Sequence, residues 1–354
     1  METAGVELVV LGPSNALRWV TGYRAMALER LTALLVTRTD AVMVLPGFDA
    51  EEFAETSGLD GVLAWSDREG PGDAVVQAFA RLGIGGPGHG SVLVDDELPY
   101  GFFARLEPHL PGPPARATEL LGGLRQVKDG GEIGLLERAG EVVSIAMDAA
   151  LESARPGMTE LELQRRIEQA LMEAGADGAE YVLVQGGTAS AVAHHVAGSR
   201  PLQAGEPVLV DIATPTAGYF ADMTQQVFLG EPPEDYRCAY AAVLAAEEAG
   251  VQAAQPGATA ADVASAAQAV IAEAGFAEYA GGRIGHGIGL DVHEPPNIIE
   301  WDATALTAGT VITVEPGIYI PGRFGIRIED TIVVTEDGPR RLTRAPRALT
   351  ISRV

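Results

Sequence analysis

The chain has 354 residues, 47% of them hydrophobic, and its 49 acidic against 24 basic residues give a net charge of −25. This length favours two domains, and the hydrophobic fraction is typical of a globular protein rather than a disordered one. Such an acidic surface repels phosphate groups, which argues against nucleic acid and anionic membranes as partners.

The first third of the chain predicts a small α/β domain. Its N-terminus lacks the basic region and apolar core of a signal peptide. Short β-prone runs alternate with helical patterns, as in βαβ units. A stretch with four prolines, 107–117, ends this pattern, so we predict domains over 1–118 and 119–354. The predicted elements include strands at 8–11, 33–37, 41–45 and 91–96 and a helix at 72–83.

An amphipathic helix over about 129–154 opens the second domain, and an internal repeat follows it. The segments 154–175 and 254–275 match at Pro, Gly, Thr and a closing Glu-Ala-Gly, always with an offset of 100 residues. Each Thr stands where a helix N-cap belongs, and each closing Gly stands where a helix ends. The repeat therefore predicts two homologous halves with one such helix in each.

Two further matching blocks give each half a pair of acids. Asp211 and Glu315 each lie six residues past the Gly of an Ala-Gly pair, and Asp222-Met-Thr resembles Glu329-Asp-Thr. All four acids stand in strongly β-prone runs, where they should be at least half buried. Turn residues separate the two runs of each half, which predicts two hairpins that bring the acids to one face.

Four buried acids that converge in this way cannot all stay ionised without partners, because desolvating each charge costs several kcal/mol. Arg327 is the main base nearby. Four carboxylates and one imidazole suit one or two divalent ions, with carboxylates bridging the pair. Surface or strand-end acids are the alternative interpretation, which the matching repeat positions disfavour for the whole set.

Four of the six histidines fall in two pairs within the second domain. His286 and His293 lie in the Gly-rich segment 281–297, where glycines let the backbone approach closely and leave space for ions and substrate. The other pair is His194 and His195. An ordinary core or loop histidine is the alternative, but the pairing and the glycines favour a functional role for His286 and His293.

Cys238, the one cysteine, cannot form an internal disulfide, which fits a reducing cytoplasm. It lies in a helical-looking stretch, and we interpret it as a small core residue rather than a catalytic nucleophile. No uncharged apolar run approaches the roughly 18 residues that a membrane span needs. We therefore expect a cytoplasmic protein without a membrane segment.

From about residue 124 to the C-terminus the chain resembles the pita-bread metallopeptidases, the family of prolidase, Xaa-Pro aminopeptidase and methionine aminopeptidase. The motifs that carry this resemblance are VLVDIATPTAGYFADMT, GHGIGLDVHEPP, TVEPGIYI and GIRIEDT. The resemblance implies an α+β catalytic domain with internal pseudo-two-fold symmetry after a creatinase-type α/β N-terminal domain. Such an N-terminal domain is typical of the prolidase and Xaa-Pro aminopeptidase branch, and methionine aminopeptidases usually lack it.

The resemblance also implies roles for individual residues. His194 matches a histidine that contacts the substrate near the scissile bond, and its neighbour His195 is the weaker candidate. His293 matches a histidine that stabilises the tetrahedral intermediate, and Arg327 matches the arginine before the last ligand. Gln225 stands where the family usually has Arg, which leaves the fine substrate preference open. The five residues that match the family's metal ligands are Asp211, Asp222, His286, Glu315 and Glu329.

These roles predict metal-dependent hydrolysis of the N-terminal Xaa-Pro bond in dipeptides or short peptides. The expected nucleophile is a hydroxide that bridges two divalent metals, and Glu315 is expected to move the proton while remaining a ligand. Manganese is the favoured metal, with cobalt, zinc and iron as alternatives. The expected substrate is a small peptide, and the expected assembly is a homodimer.

Several alternatives stay open within and beyond this class. We favour an Xaa-Pro dipeptidase slightly over an Xaa-Pro aminopeptidase because the N-terminal domain is short. A methionine-aminopeptidase-like exopeptidase is the next candidate. A non-hydrolytic pita-bread protein that binds other proteins is the main rival from another class. A creatinase-like amidinohydrolase would not need the five metal ligands.

Overall fold

The structure is a computed structural model and describes residues 1, 5–84, 90–193, 195–344 and 346–352. The chain divides into two compact units, Met1–Leu124 and Arg125–Val354. Within these described ranges, none of the helices has the length and apolar character that crossing a bilayer requires.

The N-terminal unit is built on a mixed sheet of six strands in the order β4-β3-β2-β1-β5-β6. Along β1, Leu8 and Val10 pack into one hydrophobic cluster, whereas Val9 and Leu11 pack into the other. This alternation places apolar side chains on both faces of the sheet. The elements are β1 (Leu8–Leu11), α1 (Asn15–Thr21), β2 (Ala33–Val36), β3 (Ala41–Pro46), α2 (Ala50–Ser57), β4 (Val62–Trp65), α3 (Gly72–Arg81), β5 (Val92–Val94), α4 (Tyr100–Leu106), β6 (Pro114–Arg116) and α5 (Thr118–Gln126).

The four strands and the helix predicted in this unit are confirmed, and two further strands were not predicted. β4 alternates poorly because only Trp65 of its four residues is buried. β6 lies inside the proline-rich stretch and begins at Pro114. Proline is tolerated there because β6 is an edge strand, which pairs with β5 alone.

The described residues of the second unit form four long helices and three sheets. The sheets have the strand orders β17-β9-β8-β7, β11-β10-β12-β15-β16 and β13-β14. The helices are α6 (Gly130–Ser153), α7 (Glu160–Ala174), α8 (Glu234–Ala253) and α9 (Ala260–Glu273). The strands are β7 (Tyr181–Gly186), β8 (Pro207–Thr216), β9 (Tyr219–Leu229), β10 (Gly285–Gly287), β11 (Glu294–Ile298), β12 (Val311–Val314), β13 (Gly317–Ile320), β14 (Phe324–Arg327), β15 (Asp330–Thr335), β16 (Gly338–Arg341) and β17 (Thr350–Ser352).

Helices α7 and α9 confirm the internal repeat. Each follows a threonine, Thr159 or Thr259, whose hydroxyl accepts a hydrogen bond from the backbone N–H of the third helical residue. The carboxylate of that third residue accepts from the threonine N–H at 2.8 Å in both copies, which completes a capping box. Gly175 caps the end of α7 and Gly275 follows α9, with φ angles of 98 and 84° in the left-handed region.

Each half of the second unit has its own hydrophobic core. Helices α6 and α7 pack on the β7–β9 sheet through residues such as Val143 and Ile167. Helices α8 and α9 pack in the same way on the strands of the second half, through residues such as Val243 and Val263. The two halves therefore present their sheets, not their helices, to the region where the predicted acids lie.

The prediction that Cys238 is a core residue is wrong. Cys238 lies on α8 but is exposed, with its Sγ atom 3.7 Å from Oε1 of Glu234 one turn earlier. The apolar stripe of a helix recurs every three or four residues, and position 238 falls between its members. The buried members of that stripe around it are Tyr236, Ala239, Tyr240 and Val243.

The first predicted hairpin forms as one continuous ladder. β8 and β9 pair without a break from Pro207 with Phe228 to Thr216 with Tyr219. Ala217 and Gly218 make the two-residue turn with φ angles of 51 and 88°. These positive angles are what a tight turn between twisted antiparallel strands requires.

The second predicted hairpin forms with an interruption on both strands. β12 pairs with β15 and β13 pairs with β14, but Glu315 and Glu329 lie between these ladders. Their backbone N–H groups bond elsewhere: Glu315 donates to the carbonyl of Ile284 at 2.7 Å, and Glu329 donates to that of Thr224 at 3.1 Å. Because Thr224 belongs to β9, the second bond joins the two halves of the unit.

Candidate metal centre

The two acids of the first hairpin lie on the same face of its sheet. Asp211 pairs with Thr224 and Asp222 pairs with Ala213. Residues on one strand that are two apart share a face, so Asp211 and Asp222 are diagonal neighbours across the ladder. The regular pairing of β8 with β9 therefore fixes the spacing of the first two predicted ligands.

The structure brings all five predicted ligand residues to one place. Ligand atoms of Asp222, His286 and Glu329 all lie within 4.8 Å of one another. Oε1 of Glu315 is 3.3 Å from Nε2 of His286. Charge interactions between Asp211 and both Asp222 and Glu329 add the fifth residue to this cluster.

His286 is held in the orientation that a metal ligand needs. It lies on β10 and is only 1% exposed. Its Nδ1 atom is 3.0 Å from the carbonyl oxygen of Gly287, which makes Nδ1 the protonated donor. The lone pair of Nε2 then faces Asp222 at 3.8 Å and Glu315 at 3.3 Å. Burial, followed by the charge of Arg283, lowers the pKa of His286 to about 4, so the ring is neutral at pH 7.

Arg327 and Thr224 fix two of the acids. Nη2 of Arg327 donates to Oδ2 of Asp211 at 2.5 Å, and its Nε donates to the hydroxyl of Thr224 at 3.2 Å. That hydroxyl in turn donates to Oε2 of Glu329 at 2.6 Å. Arg327 is 6% exposed, so this network is largely shielded from solvent. Both carboxylates are therefore oriented through one oxygen, and the second oxygen of Glu329, Oε1, has no hydrogen-bond partner among the described residues.

If the whole acid cluster were ionised, it would carry more negative charge than the protein itself neutralises. Burial raises the pKa of Asp222 and Glu329 well above the usual range, and the nearby charge of Asp211 or Asp222 raises each further. Burial likewise raises the pKa of Glu315. Within the described residues, three buried carboxylate oxygens have no hydrogen-bond partner: Oδ1 of Asp222, Oε1 of Glu315 and Oε1 of Glu329.

This donor set fits divalent cations. Buried acceptors without partners are costly, and several acids close together cannot all ionise unless a cation offsets their charge. Carboxylate oxygens and a neutral imidazole nitrogen are ligands that manganese, cobalt, zinc and iron all accept. The five residues could therefore hold metal ions, and the hydrogen bonds of Arg327, Thr224 and Gly287 would orient the ligands from behind.

The cluster opens into a cavity of about 570 Å³, and His293 forms part of its wall. The rings of His286 and His293 meet edge to face with 4.4 Å between their centroids. Burial, followed by the charges of His286 and Arg283, lowers the pKa of His293 to about 4. A neutral His293 can donate one hydrogen bond into the cavity or accept one from it.

The other predicted histidine pair is described only in part. His194 lies outside the described residues. Nε2 of His195 is 2.9 Å from Oε2 of the buried Glu160, and the same carboxylate accepts from the N–H groups of Gly186 and Gly198. His195 is therefore tied to this network.

Sequence reasoning missed several residues that support the site. Thr331 accepts a hydrogen bond from the N–H of Asp222 at 3.0 Å and donates to its carbonyl at 2.8 Å. A signal for the threonines was present, because Thr224 and Thr331 close the matching blocks of the two halves. Tyr319, whose hydroxyl bonds Arg327 at 2.8 Å, had no such signal.

A buried group of charges beside His293 was also missed. Glu294, 6% exposed, pairs with Nζ of Lys128 at 3.0 Å and with Nη2 of Arg125 at 2.5 Å. Arg125 also pairs with Asp291 at 2.7 Å. More than 160 residues separate the two sides of this cluster, so no local pattern could pair them.

Gln225, the departure from the family pattern, is 1% exposed. Its Nε2 atom is buried and has no hydrogen-bond partner in the described part of the chain. It lies on β9 between Thr224 and Gln226. Alternation along the strand places it on the face opposite the acids.

Comparison with known proteins agrees with this architecture. The family model for metallopeptidase family M24 matches residues 134–336, and the model for the creatinase/prolidase N-terminal domain matches residues 1–127. The chain is 36% identical over 353 residues to the probable dipeptidase PepE of Mycobacterium tuberculosis, covering 98% of this chain and 92% of that protein. It is 36% identical over 261 residues to the Xaa-Pro dipeptidase of Pyrococcus horikoshii, covering 73% of this chain and 74% of that protein.

A solved structure supports the same conclusion. The crystal structure of dipeptidase PepE from Mycobacterium ulcerans superposes with a TM-score of 0.91 at 37% identity, covering 99% of this chain and 94% of that one. The matched residues include both units, and the catalytic motifs fall within the matched family model. The chain therefore belongs to metallopeptidase family M24, with a creatinase-type N-terminal domain followed by a pita-bread catalytic domain.

Proposed function

We propose that this protein is an Xaa-Pro dipeptidase that uses two divalent ions held by Asp211, Asp222, His286, Glu315 and Glu329. The observation that carries the proposal is the buried acid cluster, with three carboxylate oxygens lacking partners, that opens into a cavity. Membership of the M24 family implies a divalent metal. The similarity to a probable PepE dipeptidase and an Xaa-Pro dipeptidase supports a dipeptide as substrate.

The residues of the site divide the work of hydrolysis. When bound, divalent ions would polarise the scissile carbonyl and acidify a water molecule toward neutral pH. Oε1 of Glu315 has no hydrogen-bond partner among the described residues, so this atom can accept the proton that the attacking water loses. His293 lies beside His286 on the cavity wall, where its ring can donate to the carbonyl oxygen as charge develops.

Arg327 and His194 complete the proposed site. The bonds of Arg327 to Asp211 and Thr224 keep the carboxylates in place during turnover. We assign His194 a contact with the substrate near the scissile bond, as the family resemblance implies. His195 is tied to Glu160, which favours His194 over its neighbour for this role.

Three finer predictions belong to the same proposal. Manganese is the favoured metal, and cobalt, zinc and iron provide the same coordination chemistry. A homodimer is the proposed assembly, which sedimentation velocity at micromolar concentration would test. The cytoplasm is the proposed location, which fractionation of the source cells would test.

The proposal is tested by hydrolysis of Ala-Pro and Ala-Pro-Ala after chelation and after adding back Mn²⁺, Co²⁺ or Zn²⁺. We expect hydrolysis of Ala-Pro that disappears with the metal and returns with one of these ions. Activity that survives complete metal removal would overturn the proposed chemistry. Glu329→Gln removes one proposed ligand and should abolish the hydrolysis, and Glu336→Gln, at an exposed acid on the turn after β15, is its matched control.

The alternatives give different results in the same assays. A methionine-aminopeptidase-like enzyme would prefer Met-Ala-Ala to Ala-Pro. An Xaa-Pro aminopeptidase would prefer Ala-Pro-Ala to Ala-Pro. A non-hydrolytic binding protein would cleave none of these peptides in any metal, and this outcome would reject the proposed function.

A further inference from the structure

The two copies of the internal repeat differ at one buried position. Glu160 and Ala260 are the first residues of α7 and α9, and they correspond at the offset of 100 residues. Both have an exposure of 0%. Burying a carboxylate costs far more than burying a methyl group unless hydrogen bonds compensate the charge. The first half therefore carries a buried acid where the second half has none.

The backbone around these two positions is hydrogen-bonded in the same way in both halves. The N–H of Glu160 donates to the carbonyl of Arg200 at 3.2 Å, and the N–H of Ala260 donates to that of Thr304 at 3.0 Å. In each half a glycine before the helix also donates to a leucine carbonyl at 2.8 Å: Gly157 to Leu202, and Gly257 to Leu306. Because Ala260 completes this pairing with a methyl group, the pairing itself does not need the carboxylate of Glu160.

The carboxylate of Glu160 instead bonds a part of the chain that reaches the cavity. Its Oε1 atom accepts from the N–H of Gly186, at the end of β7, at 2.9 Å. Its Oε2 atom lies 2.9 Å from Nε2 of His195 and accepts from the N–H of Gly198 at 3.2 Å. Ala193, which lines the cavity beside the acid cluster, lies between these partners in the sequence. Glu160 therefore bonds the chain before and after a residue of the cavity wall.

A second buried side chain holds the same part of the chain from the sheet. Gln185, on β7, is fully buried and donates from Nε2 to the carbonyl of Val192 at 3.0 Å. Gln185 pairs with Leu209 on β8, and Leu209 shares a face with Asp211 two residues further along that strand. The wall at Ala193 is therefore held both by α7 and by the strand pair that carries the first predicted ligand.

We propose that Glu160 is a positioning residue for catalysis, which keeps the Ala193 wall of the cavity in place through Gly186, His195 and Gly198. This inference rests on the proposed function and adds a residue that acts through its neighbours. A wall contacts the substrate in the ground state and in the transition state alike, so its displacement weakens binding more than it slows the chemical step. The hydrogen bonds of Glu160 include none of the five predicted ligands.

The variant Glu160→Ala gives the first half the residue that the second half already has. In the Mn²⁺-loaded enzyme, KM for Ala-Pro should rise roughly 10-fold, about the cost of one lost hydrogen bond to a charged group, and kcat should stay within about threefold of wild type. Glu162→Ala is the matched control, because it removes the exposed capping-box acid at the same end of α7. The control should lower the melting temperature and leave KM and kcat unchanged. An equal rise of KM in both variants would show that Glu160 only stabilises the helix.

Substitutions of His195 test whether Glu160 acts through this neighbour. His195→Leu removes the ring nitrogen that bonds Glu160, whereas His195→Gln keeps a nitrogen donor at the end of the side chain. We expect His195→Leu to raise KM and His195→Gln to restore most of the loss. The double variant of Glu160→Ala with His195→Leu should be no worse than Glu160→Ala alone, because the two residues share one interaction. Losses that add in the double variant would contradict this link.

Hydrogen–deuterium exchange measures the positioning without turnover. In Glu160→Ala the N–H groups of Gly186 and Gly198 lose their acceptor, so peptides that contain them should lose protection relative to wild type and to Glu162→Ala. Peptides that contain His286 or Glu315 should exchange as in wild type. Unchanged protection at Gly186 and Gly198 would overturn the positioning role even if KM rose.

The two levels of the proposal fail in distinguishable ways. If the wild-type enzyme cleaves no Ala-Pro in any of the metals, the proposed function fails and the catalytic role of Glu160 fails with it. If wild type cleaves Ala-Pro and Glu160→Ala keeps the wild-type KM, only the assignment of Glu160 is wrong.

Discussion

The two halves of the catalytic unit carry equivalent acids on hairpins of different construction. Asp211 and Asp222 lie on the continuous ladder of β8 and β9, whereas Glu315 and Glu329 lie where the second hairpin is interrupted. At the interruption the backbone departs from its own ladder and bonds Ile284 and Thr224 instead. The longer glutamate side chains sit on this displaced backbone, and the shorter aspartates sit on the regular one.

This difference shows how a repeat can build an asymmetric site. A continuous ladder fixes the spacing of its acids by itself, because strand pairing sets which side chains share a face. Where a ladder is interrupted, the acid must be held by other hydrogen bonds. Here Thr224 on β9 of the other half bonds both the backbone N–H and the carboxylate of Glu329. Strand pairing within the first hairpin therefore sets the spacing of its own acids, whereas the backbone of Glu329 in the second hairpin is hydrogen-bonded to the other half.

The largest effects are expected from removing one acid in either half. Asp222→Ala and Glu315→Ala should each lower kcat/KM by about 10³-fold or more, because each removes a carboxylate that positions charge at the reacting centre. The fold should remain largely intact, since truncation also relieves crowding among buried acids. Steady-state assays with Ala-Pro and far-ultraviolet circular dichroism measure the two outcomes. Near-normal rates in either variant would show that the ligand assignment is wrong.

The next largest effect is a loss of stability when the buried ion pairs of Glu294 with Arg125 and Lys128, which precede α6, are weakened. Lys128→Met leaves Glu294 with Arg125 but without its closest ammonium partner, at 3.0 Å. Breaking a buried ion pair by removing one partner costs about 3–5 kcal/mol, and the remaining arginine favours the lower end. Arg340→Met, which breaks an exposed pair with Glu137, is the matched control and should cost less than about 1 kcal/mol.

Urea denaturation of both variants measures these costs. A cost for Lys128→Met as small as that of the control would contradict the structural role of the buried cluster. Because Glu294 follows His293 directly, the surviving folded fraction of Lys128→Met should also show a lowered kcat.

A smaller effect is expected from the threonine that links the halves. Thr331→Val removes the two bonds between its hydroxyl and the backbone of Asp222, at 3.0 and 2.8 Å. The unfolding free energy should fall by about 2 kcal/mol, the cost of buried backbone groups left without partners. Manganese affinity should weaken roughly 10- to 100-fold, as for other residues that support ligands. Thr331→Ser retains the hydroxyl and should restore both quantities, and a Ser variant as impaired as Val would point to packing instead.

The last expected effect is a pH dependence of stability that only the metal-free protein should show. Burial and neighbouring charge raise the pKa of Asp222 and Glu329, so the folded apo protein keeps protons that the unfolded chain loses above about pH 4. Folding then takes up protons, and stability falls as pH rises from about 4 toward the raised pKa values, by about 1.4 kcal/mol per pH unit for each proton. Metal binding requires ionised carboxylates and should remove this loss.

Thermal unfolding between pH 5 and 8, with chelator and with Mn²⁺, measures the difference between the two forms. The variant Glu329→Gln should flatten the profile of the apo protein. Identical profiles with and without metal would show that the pKa values of these acids are not raised as their burial implies.

Much of this site could be predicted because the information is local and repeated. The capping boxes at Thr159 and Thr259, the β-prone runs and the four acids at matching positions all follow from short patterns. The interruption at Glu315 and Glu329 could not be predicted, because it depends on bonds to Ile284 and Thr224 in other strands.

Contacts between distant segments were equally beyond the sequence. The pairing of Lys128 with Glu294 and the closeness of Arg283 to His293 arise only when the sheets assemble. The prediction for Cys238 was wrong for a local reason, because a shift of one position along a helix decides whether a side chain faces the core. The matching positions of Thr224 and Thr331 were visible in the repeat, but their hydrogen bonds to Glu329 and Asp222 could be inferred only by knowing which strands meet.

The most direct test of this account measures bound metal and activity in the same samples. Chelator-treated protein is titrated with Mn²⁺, and after removal of free metal each sample is assayed for ions per chain and for Ala-Pro hydrolysis. We predict that activity rises with occupancy and reaches its plateau at two ions per chain, and that Asp222→Ala binds fewer ions. Hydrolysis in samples that contain no metal, or full occupancy in the variant, would contradict the assignment of this acid cluster as the catalytic metal centre.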